Sequence, residues 1–198
     1  MLTYAATKNL GKLDELRAIL AGSRLDLAVY PEYADVEEGC ESYRENALIK
    51  ARALFDQLRV AGIRAAVLAD DSGLEVDALG SRPGVLSARY GGTAITWSQR
   101  RKKLLAEMQS VPDELRGAKF VSAIALFLPD CILVEGYGEV CGSIARAEEG
   151  RFGFGYDSVF FFPPVQKMFA QLSDHEKNRI SHRRNAAAAL LAALPEHD

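Results

Sequence analysis

Two adjacent carboxylates, Asp70 and Asp71, follow a short apolar run in the segment VLADDSGLEVD, residues 67–77. Like charges at this separation repel each other, and each carboxylate resists the loss of its water shell. Some favourable interaction must offset both costs, and a cation is the usual one. The pair therefore predicts a cation-binding position where a buried strand leaves the core.

The segment ATKNLGK, residues 6–12, joins a predicted strand to a predicted helix. Such a junction directs backbone N–H groups towards whatever lies above it, and a phosphate group fits there. Thr7 and Asn9 can donate hydrogen bonds, while Lys8 and Lys12 add positive charge. The GxxxxGK[ST] pattern of a P-loop is absent. A phosphate site and an ordinary capped helix start are therefore both open here.

Three further segments carry groups suited to a nucleotide, and each also has an ordinary structural explanation. Asn46 and Lys50 share one face of a predicted helix, which could equally be a solvated stripe. In the turn GRFGFGYD, residues 150–157, the glycines would let a ligand come close to the backbone, and the aromatic rings could stack on a base. The alternative is a tight turn whose aromatic side chains belong to the core. The segment EKNRISHRR, residues 176–184, places several basic side chains at the start of a predicted helix, where positive charge is unfavourable. Either an acceptor-rich ligand or nearby acidic side chains could offset this charge.

Composition limits the class of protein. The chain has 198 residues, of which 48% are hydrophobic, enough for one sizeable core in a single domain spanning 1–198. Lys and Arg number 24 against 27 Asp and Glu, and this net charge of −3 gives no global signature of nucleic-acid binding. The N-terminal segment lacks the pattern of a signal peptide, and no run reaches the ~20 apolar residues of a membrane helix. We therefore expect a cytoplasmic protein with no nucleic-acid partner and no membrane association.

The three cysteines, Cys40, Cys131 and Cys141, are odd in number and have no CxxC spacing. Two of them fall in strand-like stretches, so we interpret them as buried free thiols of a cytoplasmic protein. The chain has only these cysteines and three histidines. No zinc-type cluster can be composed from them at familiar spacing.

Hydrophobic periodicity predicts the elements that must position these groups. Steps of three or four between apolar residues predict helices, and short apolar or alternating runs predict strands. The predicted strands cover residues 2–6, 26–30 and 65–69, a hairpin over 118–144 that turns at Pro129-Asp130, and an apolar strand ending near Pro163. The predicted helices cover residues 12–22, 43–58, 96–109 and 181–194. Alternating strands and helices indicate an α/β fold, and the hairpin makes its sheet mixed.

In combination these segments resemble one family. The stretches ATKNLGK, ENALIKA, ADDSGLEVDALGSRPGVLSARYGG, FGYDSVFFFP and KNRISHR match, in order, motifs of the inosine/xanthosine triphosphate pyrophosphatase family, hydrolases that remove deaminated purine triphosphates. They span nearly the whole chain, residues 6–183, and the block at 69–92 is long and specific. The resemblance implies a mixed, twisted β-sheet with flanking helices that form two lobes around a central nucleotide cleft.

The resemblance also implies a reaction. Asp71 would act as general base, with Asp70 supporting it and Lys50 reaching a phosphate. A water molecule would attack the α-phosphorus of ITP, dITP or XTP with help from Mg²⁺, and the products would be the monophosphate and pyrophosphate. A homodimer is implied as well. The alternatives are a non-catalytic nucleotide sensor on the same scaffold and a nucleic-acid-binding protein that uses the basic patch.

The implied cofactor, Mg²⁺, takes oxygen ligands and usually binds one or two carboxylates plus substrate phosphates. Asp71 would be one of these ligands. The acidic loop would supply another, for which Glu37 or Glu38 fits the local pattern ahead of Glu32. Since this loop is one residue longer than the usual spacing in the family, the choice stays open.

The remaining matched positions would bind the substrate. The triphosphate would be held by Thr7, Lys8, Asn9, Leu10, Gly11 and Lys12. The substrate would also touch Ser72. The base and sugar region would be bound by Phe154, Gly155, Tyr156 and Asp157. The purine would be contacted by Lys177, His182 and Arg183. Many members of the family have glycine where Lys8 stands, so this chain carries an additional charge near the phosphates.

Overall fold

Strands and helices alternate in the computed structural model, which describes residues 1–34, 36, 39 and 42–195. The strands are β1 (Leu2–Ala5), β2 (Asp26–Val29), β3 (Ala66–Val76), β4 (Arg82–Gly84), β5 (Gly117–Phe127), β6 (Leu133–Ile144), β7 (Phe160–Phe162) and β8 (Lys167–Met168). The α-helices are α1 (Leu10–Leu20), α2 (Tyr43–Val60), α3 (Trp97–Glu107), α4 (Asp174–Lys177) and α5 (His182–Ala192). Short 3-10 helices cover Asp77–Leu79, Asp113–Leu115, Pro163–Val165 and Phe169–Gln171.

The strands form one mixed sheet in the order β2-β1-β3-β5-β6-β7-β8, and β4 pairs with β3. Strand β1 is parallel to both β2 and β3, whereas β4 is antiparallel to β3. Strand β7 is antiparallel to both β6 and β8. The predicted α/β class with a mixed sheet is therefore confirmed.

The chain divides into two compact units. The first contains the described residues of Met1–Asp71 and Ser122–Gly138, and it resumes at His182. The second contains Ser72–Val121 and Glu139–Ser181. Strands β3, β5 and β6 contribute residues to both units, so neither unit is one continuous stretch of sequence. The single domain and the nucleotide cleft expected from the sequence stay predictions.

Side-chain alternation gives the sheet of the first unit two apolar faces. On one face, Leu68 of β3 belongs to a core cluster that includes residues of α1 and α5. On the other face, Val67 belongs to a cluster that includes residues of α2, where the rings of Phe55 and Phe127 lie 5.1 Å apart. Successive strand residues point to opposite faces. One set of β3 side chains therefore meets α1 and α5, and the next set meets α2.

The second unit has a core of its own that is rich in aromatic rings. The ring of Phe160 in β7 lies 4.7 Å from that of Phe120 in β5 and 4.9 Å from that of Phe169, measured between centroids. Leu104 of α3 is buried in the same cluster. The apolar strand that follows the glycine-rich turn is therefore a core strand, as the sequence predicts.

Most predicted elements are present. The four predicted helices correspond to α1, α2, α3 and α5, and the predicted hairpin corresponds to β5 and β6. The largest boundary error concerns β3: the strand predicted to end at Ala69 continues to Val76, so Asp70 and Asp71 lie inside β3 rather than after it. The apolar run stops at Ala69, but buried carboxylates take the next two places in the strand. Among the described residues, no helix has both the length and the apolar character needed to cross a membrane.

The prediction of buried cysteines is wrong for the two cysteines that the structure describes. Cys131 is exposed at the turn of the hairpin, where its φ of 69° is left-handed. Cys141 is exposed on β6, where alternation gives the buried position to its neighbour Val140. Cys40 lies outside the described residues.

Helix α5 lies directly on the backbone of β6. A Cβ atom at Gly136 would overlap the backbone oxygen of Ala186, and one at Gly138 would overlap the backbone nitrogen of Ala186 and the carbonyl oxygen of His182. Glycine in a strand marks such a close approach of another backbone. The contact fixes the N-terminal end of α5, where His182 and Arg183 begin the helix.

Gly138→Ala should lower the free energy of unfolding by about 1–3 kcal/mol, because the added methyl group must displace the α5 backbone. Denaturant titration followed by circular dichroism measures the change. Gly39→Ala is the matched control, since a Cβ atom there would have nothing within 4 Å. Equal effects of the two substitutions would show that α5 does not depend on this close contact.

Candidate active site

The alternation of β3 sends Asp70 and Asp71 to opposite faces of the sheet in the first unit. Asp70 continues the set of Leu68, which faces α1 and α5, and Asp71 continues the set of Ala69, which faces α2. Both residues are buried, with exposed fractions of 2% and 4%. The strand itself therefore separates the two charges, and each carboxylate meets a different set of helices.

The side chains of Lys12, Arg183 and Ser122 contact the Asp70 carboxylate. The Lys12 ammonium lies 3.0 Å from Oδ2, the Arg183 Nε donates to the same oxygen at 3.4 Å, and the Ser122 Oγ donates to Oδ1 at 2.5 Å. Burial alone would raise the pKa of Asp70, but the two cations and the hydroxyl together hold that pKa below its usual range. Burial lowers the pKa of Lys12, and Asp70 opposes this shift. The Asp70 carboxylate is therefore charged and engaged by protein groups.

Arg183 also forms a buried ion pair with Glu15 of α1. The Arg183 Nη1 donates to Glu15 Oε2 at 2.8 Å, and the two side chains are 4% and 5% exposed. One guanidinium at the start of α5 is thus held by carboxylates from both α1 and β3. Buried pairs of this kind are a poor source of stability, so their clearest effect here is to fix the direction of the guanidinium.

Two residues of α2 hold the Asp71 carboxylate. The Lys50 Nζ donates to Asp71 Oδ1 at 3.1 Å and to the Asp70 carbonyl oxygen at 2.9 Å. The Asn46 Nδ2 donates to Asp71 Oδ2 at 3.2 Å. Because Asn46 and Lys50 are four residues apart, they lie on one face of α2, and that face is buried rather than solvated. The prediction that Asn46 and Lys50 share a face is confirmed, and the alternative, a solvated stripe, is wrong.

The start of α1 is a capped helix. The Asn9 Oδ1 accepts a hydrogen bond from the Lys12 N–H at 3.2 Å, and the Thr7 Oγ1 accepts one from the Asn9 N–H at 3.1 Å. Lys8, Asn9 and Leu10 are exposed, and Leu10 has 70% of its surface accessible. The helix-cap interpretation of this segment is therefore confirmed. A role in holding phosphate stays a prediction, and it is compatible with the exposed backbone of a helix N-terminus.

In the second unit, the glycine-rich turn wraps around the Asp157 carboxylate. Its Oδ2 accepts a hydrogen bond from the Phe154 N–H at 2.8 Å and forms an ion pair with the Lys177 Nζ at 2.7 Å. The Lys177 Nζ also lies 4.7 Å from the centroid of the Phe154 ring. Gly153 has a φ of 70°, and a Cβ atom there would overlap the Asp157 carboxylate. Glycine is therefore required at this position both for the backbone conformation and for space.

Tyr156 lies in the core of the second unit. Its hydroxyl donates to the Ser87 carbonyl oxygen at 3.0 Å, and its ring packs edge-on against Trp97 with the centroids 5.4 Å apart. Burial raises the pKa of its hydroxyl group. Tyr156 therefore anchors the turn in the core, while its predicted contact with the base stays a prediction.

Comparison with known proteins identifies the family. The Ham1 family model matches residues 3–193. The chain belongs to the Ham1 family. A protein of Haemophilus ducreyi named dITP/XTP pyrophosphatase is 44% identical over 193 residues, which cover 96% of each chain. A protein of Mycobacteroides abscessus with the same name is 43% identical over 98% of this chain and 95% of its own.

Two solved structures of Ham1 proteins are similar to this one. The Staphylococcus aureus protein is 37% identical with a TM-score of 0.83, and the Coxiella burnetii protein is 36% identical with a TM-score of 0.85. Each comparison covers 97% of both chains. The family predicted from the motifs is therefore confirmed. The predicted enzyme class, a pyrophosphatase acting on phosphoanhydride bonds, is confirmed by the relatives.

The predicted site residues of this Ham1 chain fall into two groups. The first unit brings together Lys12, Lys50, Asp70, Asp71 and Arg183. The second unit brings together Phe154, Asp157 and Lys177, with Gly155 and Tyr156 in the same turn. Of the other predicted residues, partly buried Ser72 begins the second unit, and buried His182 begins α5 in the first.

A divalent cation at this Ham1 site would need oxygen donors. Among the described residues, no group of three His, Cys, Asp or Glu side chains is arranged to hold a metal ion. Asp71 nevertheless fits, because Mg²⁺ takes few protein carboxylates and completes its shell with water and substrate phosphates. The predicted loop ligands Glu37 and Glu38 lie outside the described residues. Glu32 is described, and it accepts a hydrogen bond from the Tyr30 hydroxyl at 3.3 Å.

Glu15 and Ser122 belong to the ion cluster of the first unit but not to the predicted site. Ser122 interrupts an apolar run in a predicted strand, and a polar group at a buried position needs a partner, so a signal was available there. Glu15 offered no such signal, since its partner Arg183 is 168 positions away in the chain. Only the folded Ham1 chain joins these residues.

Asp70→Asn should lower the free energy of unfolding by about 3–5 kcal/mol, because it removes a carboxylate from the buried cation Arg183 and the partly buried cation Lys12. Denaturant titration followed by circular dichroism gives the change. Asp14→Asn on α1 is the matched control. Asp14 forms a largely exposed ion pair with Arg17, and such pairs contribute little to the free energy of unfolding. A loss for Asp70→Asn no larger than that of the control would disprove the counter-ion role.

Proposed function

We propose that this chain hydrolyses deaminated purine nucleoside triphosphates, namely ITP, dITP and XTP, to the monophosphate and pyrophosphate. The observation that carries the proposal is the buried Asp71 carboxylate, held by Lys50 and Asn46 next to the paired carboxylate of Asp70. The name dITP/XTP pyrophosphatase of the relatives supports the substrate class.

Asp71 would act as the general base. Lys50 and Asn46 each donate to one of its oxygens, so the carboxylate has a fixed direction and a stabilised negative charge. Each carboxylate oxygen has two acceptor sites, so a hydrogen bond from Lys50 does not by itself prevent the same oxygen from accepting a proton from water. As that water attacks the α-phosphorus, Asp71 would take its proton. General-base action of this kind typically contributes about 10²–10⁴-fold to the rate.

Asp71, together with Glu37 or Glu38, would also hold the Mg²⁺ that the family resemblance implies. Bound there, the ion supplies positive charge that polarises the phosphoryl oxygens. Lys50 has a related task, because its ammonium is fixed by Asp71 and by the Asp70 carbonyl oxygen before any substrate arrives. A preorganised charge of this kind stabilises a transition state without further rearrangement.

The triphosphate would lie at the start of α1. The N-terminus of a helix presents backbone N–H groups and favours anions. Lys12, already fixed by Asp70, would balance charge on the departing pyrophosphate, and exposed Lys8 would add a second cation. Thr7 and Asn9 would support this loop through the caps described above. Phosphate binding would thus depend on the first unit.

Selection of the base would depend on hydrogen-bond donors. Hypoxanthine and xanthine have an oxygen at position 6, where adenine has an amino group, so a donor placed there is left unpaired when ATP binds. A buried unpaired donor costs about 1–3 kcal/mol. The Phe154 N–H already donates to Asp157. A backbone amide has one donor, whereas the lysine and arginine side chains have several, so Lys177 and Arg183 can donate to the purine as well as to their carboxylates. Lys177, His182 and Arg183 are therefore the proposed contacts to the purine.

A non-catalytic nucleotide sensor on the same scaffold is the alternative. Such a sensor could bind nucleotides through the lysines and the glycine-rich turn, but it would have no use for a fixed base such as Asp71. Release of pyrophosphate separates the two functions. The proposal also includes the homodimer that the family resemblance implies and a cytoplasmic setting.

ITP, dITP or XTP should yield pyrophosphate and not orthophosphate, and kcat/KM should exceed that for ATP by about 100-fold or more, a scale that hydrogen-bond recognition can reach. Separate assays of the two products over a panel of ITP, dITP, XTP, GTP and ATP test both statements. Release of orthophosphate would refute the reaction, and equal turnover of ATP would refute the base contacts. Binding without turnover would favour the sensor.

Asp71→Asn should lower kcat by about 10²–10⁴-fold, because it removes the basic oxygens. Affinity for ITP, measured with calcium in place of magnesium, should change much less, since Lys12 and the turn around Asp157 remain. Asp56→Asn, on the exposed face of α2, is the matched control and should retain activity. A folded Asp71→Asn protein that keeps turnover within about tenfold of the unsubstituted chain would remove Asp71 from the role of base.

A further inference from the structure

The glycine-rich turn of the second unit is held from α3 by a side chain outside the predicted site. We propose that Arg101 is a positioning residue for purine selection, acting through its hydrogen bond to the carbonyl oxygen of Gly155. The inference rests on the proposed function, because it assumes that the turn contacts the purine nucleotide. It adds a residue that neither the motifs nor the buried ion cluster contain.

Two directed contacts fix the Arg101 guanidinium. Its Nη1 donates to the Gly155 carbonyl oxygen at 2.9 Å, and its Nε donates to Glu148 Oε2 at 2.6 Å. The Arg101 and Glu148 side chains are 19% and 29% exposed, so water reaches part of the pair. The planar guanidinium donates in a fixed fork, and anchoring one nitrogen on Glu148 therefore sets the direction of the other.

The bond to Gly155 determines the orientation of a whole peptide group. Gly155 has a φ of 64°, in the left-handed region, and glycine has more conformational choices than any other residue. In a planar trans peptide the C=O and the following N–H point in opposite directions. Because Arg101 holds the Gly155 carbonyl, it also sets the direction of the Tyr156 N–H. A change at Arg101 would therefore reach the turn next to Phe154.

Packing alone does not fix this side of the turn. A surface cavity of about 170 Å³ borders it, and its lining includes Arg101, Glu148, Phe154 and Gly155. A segment beside a cavity lacks the dense contacts that hold a core residue in place. The guanidinium of Arg101 provides a directed contact where apolar packing is incomplete.

Glu148 connects the same guanidinium to the far end of the turn. Its Oε2 accepts a hydrogen bond from the Ser158 Oγ at 3.1 Å as well as from Arg101. Arg101 and Glu148 thus hold the turn on both sides of Asp157, through Gly155 and Ser158. Gly155 and Ser158, which flank Asp157 in the sequence, are therefore connected to α3 through Arg101 and Glu148.

Helix α3 contributes a second, apolar contact from the same face. Trp97 is four residues before Arg101 and packs against the ring of Tyr156. A Cβ atom at Gly155 would lie 3.8 Å from Trp97, an ordinary contact distance. The ring contact between Trp97 and Tyr156 therefore packs the turn against α3, and Arg101 orients the peptide group that follows Gly155.

A positioning role differs from a stabilising role in what it changes. A partly exposed ion pair contributes little to folding, so loss of Arg101 should leave the thermal midpoint nearly unchanged. It should instead alter the contact with the base while leaving phosphate binding intact. The expected signature is a higher KM for dITP with kcat and the affinity for inorganic triphosphate largely preserved.

The test compares Arg101→Met with Lys102→Met on the same helix. Methionine keeps an unbranched apolar side chain and removes the donors, and exposed Lys102 loses the same charge without touching the turn contacts described here. Arg101→Met should lower the ratio of kcat/KM for dITP to that for ATP by about tenfold, the scale of one misplaced polar contact. Lys102→Met should keep this ratio within about twofold. Inhibition by inorganic triphosphate and the thermal midpoint are measured on the same preparations.

Two further variants keep the test informative if Arg101→Met folds poorly. Arg101→Lys retains the charge but loses the fork, so it should lose most of the same selectivity. Glu148→Gln can still accept from Ser158 but weakens the hold on Arg101, so it should lower the ratio in the same direction by about threefold. Rescue of selectivity by Arg101→Lys would show that charge alone matters and would overturn the positioning role.

The outcomes separate this inference from the proposed function. If the unsubstituted chain prefers dITP and Arg101→Met keeps this preference within about twofold, the role of Arg101 is overturned and the proposed function stays intact. A proportional loss on dITP and ATP together with a lower thermal midpoint also overturns it, because a merely structural residue would behave so. If the unsubstituted chain shows no preference for dITP, both proposals fail.

Discussion

A buried carboxylate must have a partner, because an unpaired one is costly. Strand β3 buries two carboxylates in succession, those of Asp70 and Asp71. Strand geometry turns Asp70 towards α1 and α5 and Asp71 towards α2. Helices α1 and α5 must bring Lys12 and Arg183 to the Asp70 carboxylate, and α2 must bring Lys50 to the Asp71 carboxylate. Charge pairing therefore constrains the helices of the first unit in addition to apolar packing, since a shifted helix would leave a buried charge unpaired.

The same alternation divides the two acids by task. Asp70 fixes cations that would otherwise be flexible side chains, while Asp71 is itself fixed, by Lys50 and Asn46. The second unit uses a similar device, because the buried Asp157–Lys177 pair holds the glycine-rich turn from inside. Buried ion pairs contribute little net stability when compared with apolar packing, so their repeated use at candidate binding positions favours a role in orientation.

Local patterns predict what depends on neighbours in sequence. The apolar steps of α2, the hairpin of β5 and β6 and the adjacent carboxylates were all visible in the chain itself. The contacts that complete the site were not, because Glu15 meets Arg183 across 168 positions and Ser122 meets Asp70 across 52. The apolar run that ends at Ala69 also concealed the continuation of β3, since a paired carboxylate occupies a buried strand position that periodicity assigns to apolar residues.

Charge balance in the first unit bears on the form of the substrate. In the part of the chain that the structure describes, ion pairs on β3 and α5 join Lys12, Lys50 and Arg183 to Asp70, Asp71 and Glu15. Each of these cations therefore already has a carboxylate partner. A free triphosphate would draw the lysines away from their carboxylates and leave buried negative charge unpaired, which is strongly unfavourable. Under the proposed function, a triphosphate that arrived with a divalent cation would avoid this conflict, because the ion would offset charge on the phosphates and give Asp71 a positive partner. The ion cluster would then favour a metal–triphosphate complex over the free nucleotide as the proposed substrate.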